Sequence, residues 1–448
     1  MKLSFSDRVG IALIAGAICV VSTLWSPLLG WVAPVLLMFS LRGASHKEGF
    51  LIGACYGFAE VLEGTGAVQF GNGAVLIILC CNILERMLFL GGLQVLSSYA
   101  RRFWPLVYII GIPLSDYLAG TLATRFYAPL TFVDTQALNP YALQIVGIVG
   151  AYGLTGIMTA FGCCLVLFYE SKKELKWTGG ALLLLLGTYV LGGFLMASQS
   201  ADGEQKTVRV LSIQGGVPNW FYEIAPWVPD AEAWIQEQYI LPIEQLQPGD
   251  VDLVILPEAA LRPSTQNSSL IQQRFENLAM EKSIVLVFGL FLDAESGGQT
   301  NSAVIIDGMA IDDTGRPEVY KTHKVITVPV VEKDLKAGDA YRTISTSLGT
   351  FGVLNCVESL HVLPARELAR QGAQFLIVIA NDAGFGLGTS GRFHAERAAV
   401  RAADVNLDVV HAGQFGFTRV YRSDGQMRFG NDYKAGTYRY SVNLKPAH

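Results

Sequence analysis

Apolar residues run in long uninterrupted stretches through the first 200 positions and in short bursts through the remainder. Val9–Leu41 holds no charged residue over 33 positions, with Ser26-Pro27 and Gly30 near its middle. A bilayer-spanning helix needs about 20 mostly apolar residues, so this stretch predicts two short spans joined by a tight turn. Further spans are predicted over about Phe50–Leu62, interrupted by Glu60, and over about Ala67–Leu96, with Glu85-Arg86 inside it. Trp104–Leu122, carrying Asp116, and about Tyr141–Tyr169 follow, and Trp177–Ala197 closes the series at seven. The sixth is the clearest, since Thr135–Tyr169 holds no charge at all. Ionisable groups at membrane depth are costly, so Glu60, Glu85, Arg86 and Asp116 read either as internally paired or as functional.

Beyond a short polar linker at 198–206 the rhythm changes. Compact apolar runs rich in β-branched residues recur at Val208–Ile213, Val251–Leu256, Ile284–Phe288, Ala303–Ile306, Gly352–Leu354, Phe375–Ile379 and Leu407–His411. Their lengths fit buried strands. Helical stretches fall between several of them, at Ala231–Leu246, Ser268–Glu281, Ala365–Gln371 and Phe393–Asp404. This alternation predicts a layered α/β domain over residues 201–448. Gln414–Arg428 reads as a β-hairpin turning at Ser423-Asp424-Gly425.

Composition sharpens the division. The chain has 448 residues, 33 Lys+Arg, 38 Asp+Glu and a net charge of −5. Residues 1–200 carry 11 basic and 9 acidic residues, about 10%, whereas residues 201–448 carry 22 and 29, about 21%. An average soluble domain has roughly 25%, so the chain is not one soluble globule. The acidic polar half argues against a nucleic-acid partner. Lys and Arg collect in cytoplasmic loops. With the N-terminus inside, Lys2, Arg8, Arg42, Lys47, Arg101, Arg102, Lys172, Lys173 and Lys176 lie on one side and only Arg125 on the other. Seven spans then leave residues 201–448 outside.

Six of the seven cysteines lie in the apolar half; Cys356 stands alone in the polar half. It follows Phe-Gly-Val-Leu-Asn at a predicted strand end. Glu258 follows Leu-Val-Ile-Leu-Pro, and Lys321 follows Pro-Glu-Val-Tyr. Strand ends of α/β sheets are where sites gather. A carboxylate can take a thiol proton, an ammonium can stabilise thiolate and oxyanion, and a thiolate can attack a carbonyl and hold the acyl group. A nearby cation would lower the thiol pKa. Each residue alone has an ordinary structural reading as a turn, a surface charge or a core thiol. His323, His361, His394 and His411 show no metal-ligand spacing, and no metal or cofactor is expected. Gly384, Gly386 and Gly388 lack the Lys-Ser/Thr end of a phosphate loop and read better as a lid.

Leu-Pro-Glu258, Tyr-Lys321-Thr-His and Gly-Val-Leu-Asn-Cys356-Val-Glu358, in that order, resemble the nitrilase, or carbon–nitrogen hydrolase, superfamily. That resemblance implies an α-β-β-α sandwich with a Glu-Lys-Cys triad. Three further pieces resemble its membrane branch, the apolipoprotein N-acyltransferases: Val-Leu-Ser-Ile-Gln214-Gly-Gly-Val-Pro218, Ala380-Asn381-Asp382-Ala-Gly-Phe385-Gly386, and Gly150-Ala-Tyr-Gly153-Leu. The resemblance implies Glu258 as base, Lys321 as stabiliser and Cys356 as nucleophile. Lys324 is a second candidate lysine; Lys321 carries the local Lys-x-His pattern. Glu358 matches an acidic position that would orient the lysine or help the acceptor amine lose its proton. Pro329-Val-Val-Glu332 resembles the family's Pro-Phe-Gly-Glu but comes three residues later than expected after Lys321. Trp220, Asn381 and Phe385 become candidates for substrate or lid contacts. The pattern departs at Val357, where the family has Tyr, and at Gly384, where it has Trp. The final run, Ser441–His448, is not apolar, where the family usually has another transmembrane helix.

The activity implied is transfer of an acyl chain from a phospholipid, through a cysteine thioester, to the α-amine of a lipoprotein's diacylglyceryl cysteine. The expected partners are the phospholipid donor, the diacylated lipoprotein and the bilayer. The expected location is a bacterial inner membrane, with the catalytic domain facing the periplasm. Two other readings stay open: a membrane-tethered amidase or nitrilase-like hydrolase that uses water, and a non-catalytic membrane scaffold with a vestigial triad.

Overall fold

The structure is a computed structural model describing residues 3–62, 72–122, 130–171, 174–199, 206–224, 227–228, 230–260, 268–294, 297–328, 331–385 and 389–446. Contacts divide it into two compact units, Met1–Asp202 and Gly203–His448.

The first unit is helical: α1 (Phe5–Leu24), α2 (Val32–Leu41), α3 (His46–Glu60), α4 (Asn72–Tyr99), α5 (Trp104–Leu122), α6 (Pro140–Glu170) and α7 (Leu175–Gln199). Ser4 and Ser45 cap α1 and α3 through capping boxes with Asp7 and Glu48, which satisfy otherwise orphaned N–H groups. Among the described residues four helices are long and apolar enough to cross a membrane, and Pro27–Leu41 and Trp104–Ala119 are shorter apolar helices. Glycine lets helices approach closely where lipid supplies no hydrophobic drive. A Cβ on Gly53 would meet the Arg86 carbonyl oxygen at 2.5 Å. Gly150, from the Gly-x-Tyr-Gly segment, breaks α6 with φ +75°.

The charges inside these helices find one another. Arg86 Nε donates to Glu60 Oε2 at 2.7 Å, and its Nη1 to Asp116 Oδ1 at 2.9 Å. Its Nη2 reaches the Leu130 carbonyl at 2.8 Å. All three side chains are at most 5% exposed. One guanidinium thus spans two carboxylates from different helices, which is how such groups survive in an apolar surround.

The second unit stacks two sheets between helices. Its elements are β1 (Thr207–Gln214), α8 (Asn219–Ile224), α9 (Ala231–Glu244), β2 (Leu253–Ile255), α10 (Ser268–Lys282), β3 (Val285–Asp293), β4 (Gln299–Ile311), β5 (Pro317–His323) and β6 (Leu335–Lys336). They continue with β7 (Thr343–Thr346), β8 (Gly349–Asn355), α11 (Val362–Arg370), β9 (Phe375–Ala380), α12 (Ser390–Val405), β10 (Asp408–Gly413), β11 (Phe417–Tyr421), β12 (Met427–Asp432) and β13 (Gly436–Asn443). One sheet runs β13-β1-β2-β3-β4-β5, with β6 beside β4; the other runs β12-β11-β10-β9-β8-β7.

Alternating strand residues build two cores. Ile255, Val287 and Ile305 from one sheet meet Val353, Ile377 and Val410 from the other in the layer between the sheets. Val254, Leu286 and Ile306 point the opposite way, onto Tyr239 of α9 and Phe275 of α10. Helices α11 and α12 pack on the far sheet. This is an α-β-β-α sandwich following an apolar helical region. Strand β9, Phe-Leu-Ile-Val-Ile-Ala, pairs in parallel with both β8 and β10 and is buried throughout, as a strand covered on both faces must be. The loops leaving the C-terminal ends of β2, β5, β8 and β9 carry the chemistry described next.

Candidate active site

Glu258 lies three residues past β2, is 4% exposed, and accepts from three donors. Lys324 Nζ and Asn301 Nδ2 donate to Oε1 at 2.8 and 2.7 Å, and the Asn381 backbone N–H donates to Oε2 at 3.0 Å. The Cys356 thiol lies beside this carboxylate and favours its charged form. Ala259, immediately after it, has φ +46°. Gly289 of β3 packs beneath the loop so closely that a Cβ there would stand 2.6 Å from Glu258 Cα.

The lysine that meets Glu258 is Lys324, not Lys321. Lys321 is exposed within the edge strand β5, opposite Val304. It shares the parity of Val319, which packs on the helix-side core, whereas Tyr320 packs between the sheets. Strand period two makes residues three apart face opposite ways. Lys324 comes just after the strand ends, its N–H bonded to the Asn301 carbonyl at 2.8 Å, and its side chain is 2% exposed. Its Nζ also donates to Glu332 Oε1 at 2.8 Å. A signal for this was present in the sequence: Glu332 comes three residues late when counted from Lys321, and on time when counted from Lys324.

Glu332 is more than a partner to the ammonium. Its Oε1 also accepts from Asn301 Nδ2 at 3.0 Å, and its Oε2 from the Val328 N–H at 2.6 Å. Asn301, which the sequence reading missed, therefore bridges Glu258 and Glu332. Glu358 is 1% exposed and accepts the N–H groups of Val325 at 2.6 Å, Ile326 at 3.1 Å and Asn355 at 2.7 Å. It ties the loop after Lys324 to the residue before Cys356. Burial pushes the Glu358 carboxyl up to about 7 despite those three donors.

Cys356 follows β8 directly and opens a short 3-10 turn, Cys356–Leu360. It is partly exposed and adopts φ +52°. A left-handed non-glycine residue costs on the order of 1–3 kcal/mol and persists only when its surroundings impose it.

The electrostatics invert one expectation. Burial and the neighbouring Glu258 carboxylate push the Cys356 thiol well up, and Lys324 only partly opposes them. Burial works against Glu258 ionising, but the Lys324 ammonium and the hydrogen bonds hold it below the usual carboxylate range. Burial likewise opposes the Lys324 charge, and Glu258 and Glu332 more than restore it. The resting group is a neutral thiol beside an ionised Glu–Lys pair, so a base must remove the proton during attack.

The remaining candidates divide. Asn381, directly after β9, holds Glu258 through its backbone. Phe385 has its ring edge-on to His394 at 6.5 Å. Trp220 of α8 is 59% exposed, with its ring against Phe221 at 5.7 Å, and makes none of the hydrogen bonds that join the buried groups. Gly386 and Gly388 of the lid reading lie outside the described residues. Cys356 Sγ, an Asp382 oxygen and a His394 nitrogen lie within 4.8 Å of one another. That spacing could suit a metal ion, but both ring nitrogens of His394 already face hydrogen-bond partners, Asp382 Oδ1 and the Cys356 carbonyl.

Glu, Lys and Cys converging on an α-β-β-α sandwich define a class. The sequence profile of carbon-nitrogen hydrolases matches residues 210–444, and the chain belongs to that family. Among curated relatives it is similar to the "Apolipoprotein N-acyltransferase" of Haemophilus ducreyi, 26% identical over 80% of this chain and 74% of that one. It is similar also to the protein of the same name from Geobacter metallireducens, 24% identical over 89% of this chain and 82% of that one. Among solved structures, Saccharomyces cerevisiae Nit3, described as a member of branch 10 of the nitrilase superfamily, covers 54% of this chain and 91% of its own at 22% identity and TM-score 0.43.

Proposed function

We propose that this protein is a membrane N-acyltransferase that moves an acyl chain from a phospholipid to the α-amine of a lipoprotein's diacylglyceryl cysteine. The observation that carries this reading is the buried Glu258–Lys324 pair, with the partly buried Glu332, against Cys356, in a chain that also holds apolar helices of membrane-crossing length. The two N-acyltransferases named above match 80% and 89% of this chain, more than the second unit alone.

In the first half-reaction Glu258 takes the Cys356 proton as sulfur attacks the phospholipid ester carbonyl. Lys324, fixed by two carboxylates, stabilises the developing oxyanion. The carbon–oxygen ester bond breaks, the leaving alkoxide of the lysophospholipid regains the proton from Glu258, and a thioester remains on Cys356. In the second half-reaction the acceptor amine attacks the thioester and passes its proton to Glu258. The carbon–sulfur bond then breaks, and that proton returns to sulfur. Product is an amide, and every group is restored. Loop charges favour an arrangement with residues 201–448 on the outer face of a bacterial inner membrane, beside both lipid substrates. Confinement to that layer raises their effective concentration.

The test is to incubate the full chain with phospholipid and search Cys356 for a hydroxylamine-labile acyl adduct by mass spectrometry, then add a diacylated lipopeptide and follow amide formation. Cys356→Ser should form no thioester. Adduct formation followed by free fatty acid, with no acylated peptide, would assign a hydrolase instead. A wild-type chain that never acquires an adduct would reject acyl transfer.

A further inference from the structure

Behind the nucleophile lies a second buried pair that the acyl-transfer steps leave unused. Asp382 begins the 3-10 turn Asp382–Phe385 after β9, and His394 sits in the second turn of α12. His394 Nδ1 lies 2.7 Å from Asp382 Oδ1, and the side chains are 3% and 1% exposed. On the other side of the ring, His394 Nε2 lies 3.0 Å from the backbone carbonyl oxygen of Cys356. Ser359 Oγ donates to that same carbonyl at 2.9 Å and lies 3.0 Å from Nε2.

The partners dictate where the hydrogens go. A carbonyl oxygen only accepts, so Nε2 carries a hydrogen. Ser359 spends its own hydrogen on the carbonyl, which leaves its oxygen free to accept from Nε2 as well. Asp382 offers a carboxylate to Nδ1. The ring is therefore fixed at both ends, and the Cys356 carbonyl receives one donor from its own turn, Ser359, and one from α12, His394. His411, whose ring stands edge-on at 4.9 Å, and Phe385 also face His394, and the Glu258 carboxylate acts on it electrostatically. Burial, together with the neighbouring His394, pushes His411 well down, toward the neutral ring. Burial opposes a charge on His394, but Asp382 and the Cys356 carbonyl favour the protonated ring.

We propose that Asp382 and His394 are positioning residues for the nucleophile: His394, aimed by Asp382, grips the Cys356 carbonyl and so holds the left-handed backbone that presents sulfur to Glu258. The reasoning joins two observations. Cys356 adopts φ +52° without being glycine, so something must hold it there. The carbonyl that reports that conformation is the one His394 and Ser359 grip. Release it, and the turn relaxes toward an ordinary backbone, carrying sulfur away from its base.

This inference rests on Cys356 being the nucleophile, and its test separates the two. Two rates are measured on the full chain in detergent: alkylation of Cys356 by iodoacetamide across pH, which needs no lipid, and acyl-adduct formation from phosphatidylethanolamine micelles. His394→Ala should slow both by about 100-fold, the typical cost of misplacing a reacting atom by an ångström, while the affinity for phospholipid stays unchanged. His394→Gln, whose amide N–H can still reach the carbonyl, should recover most of that loss. Should His394→Ala not fold, Asp382→Ala, which leaves the ring in place but unaimed, should show the same slowing. Wild-type rates in the folded alanine variants would overturn the proposal, as would a folded His394→Gln no faster than His394→Ala. If the wild type never acylates yet its alkylation depends on His394, acyl transfer fails and the positioning role stands.

Discussion

Replacing Lys324 by methionine removes one ammonium and nearly nothing else. Methionine reproduces the lysine stem and lacks only the terminal nitrogen, so the perturbation is chiefly electrostatic. In the native site that ammonium makes two 2.8 Å contacts, to Glu258 and Glu332, at 2% exposure. Two consequences follow. Removing one member of a buried ion pair destabilises by about 3–5 kcal/mol, because the orphaned carboxylates keep their desolvation penalty. The carboxylates would answer by binding protons, and a protonated Glu258 cannot serve as the base. Loss of the stabilising charge alone should lower the acylation rate by about 10²–10³, or 2.7–4 kcal/mol of barrier. The matched control is Lys321→Ala. That exposed side chain should change stability by no more than about 0.5 kcal/mol and leave the acylation rate unchanged, because Lys321 touches none of the reacting groups. The assay is a mass-spectrometric time course of the Cys356 thioester, run well below the unfolding temperature of each variant. A Lys321→Ala variant that loses activity while Lys324→Met keeps it would refute the geometric assignment.

Gly289→Ala places a methyl 2.5 Å from the Ala259 nitrogen and 2.6 Å from Glu258 Cα; it should shift the base and cost about 100-fold in acylation rate, and unchanged kinetics would show that the loop yields freely. Glu358 titrates near 7 in the fold against 4.5 unfolded. The folded state therefore binds more protons between those values, and the stability contributed by the protonated form is full below about 4.5 and lost as pH rises through about 7. In Glu358→Gln the decline of unfolding temperature from pH 5 to pH 8 should be shallower, whereas parallel declines would contradict the raised pKa. Arg86→Met strands Glu60 and Asp116 together, and unfolding in detergent should report a loss of about 3–5 kcal/mol; a variant as stable as wild type would mean that those carboxylates are not held as an ion pair.

Much of the site can be read in one dimension because strand ends announce themselves. Glu258 and Cys356 each follow a run of buried aliphatic residues, and each begins a change of direction. Lys324 is marked only indirectly, by its spacing to Glu332. The local Lys-x-His pattern points three residues too early, and only pairing of β5 with β4 reveals that Lys321 is on the wrong face of an exposed edge. Asn301 looks like any strand residue until β4 is placed next to the Glu258 loop. Trp220 attracts notice as an aromatic near the first strand, yet the fold leaves it on the surface.

The amino-acid order alone determined the division at about residue 200, the apolar helices, the strand–helix alternation and the places of Glu258 and Cys356 at strand ends. These depend on hydrophobic period and on residues a few positions apart, which the chain carries locally. Tertiary structure alone decided the partners of charge: Arg86 with carboxylates 26 and 30 residues away, Lys324 with Glu258 at a distance of 66, His394 with the Cys356 carbonyl at 38. An ion pair in a dry surround depends on ångström separations, and those exist only once the sheets have stacked and the loops at their ends have been brought together.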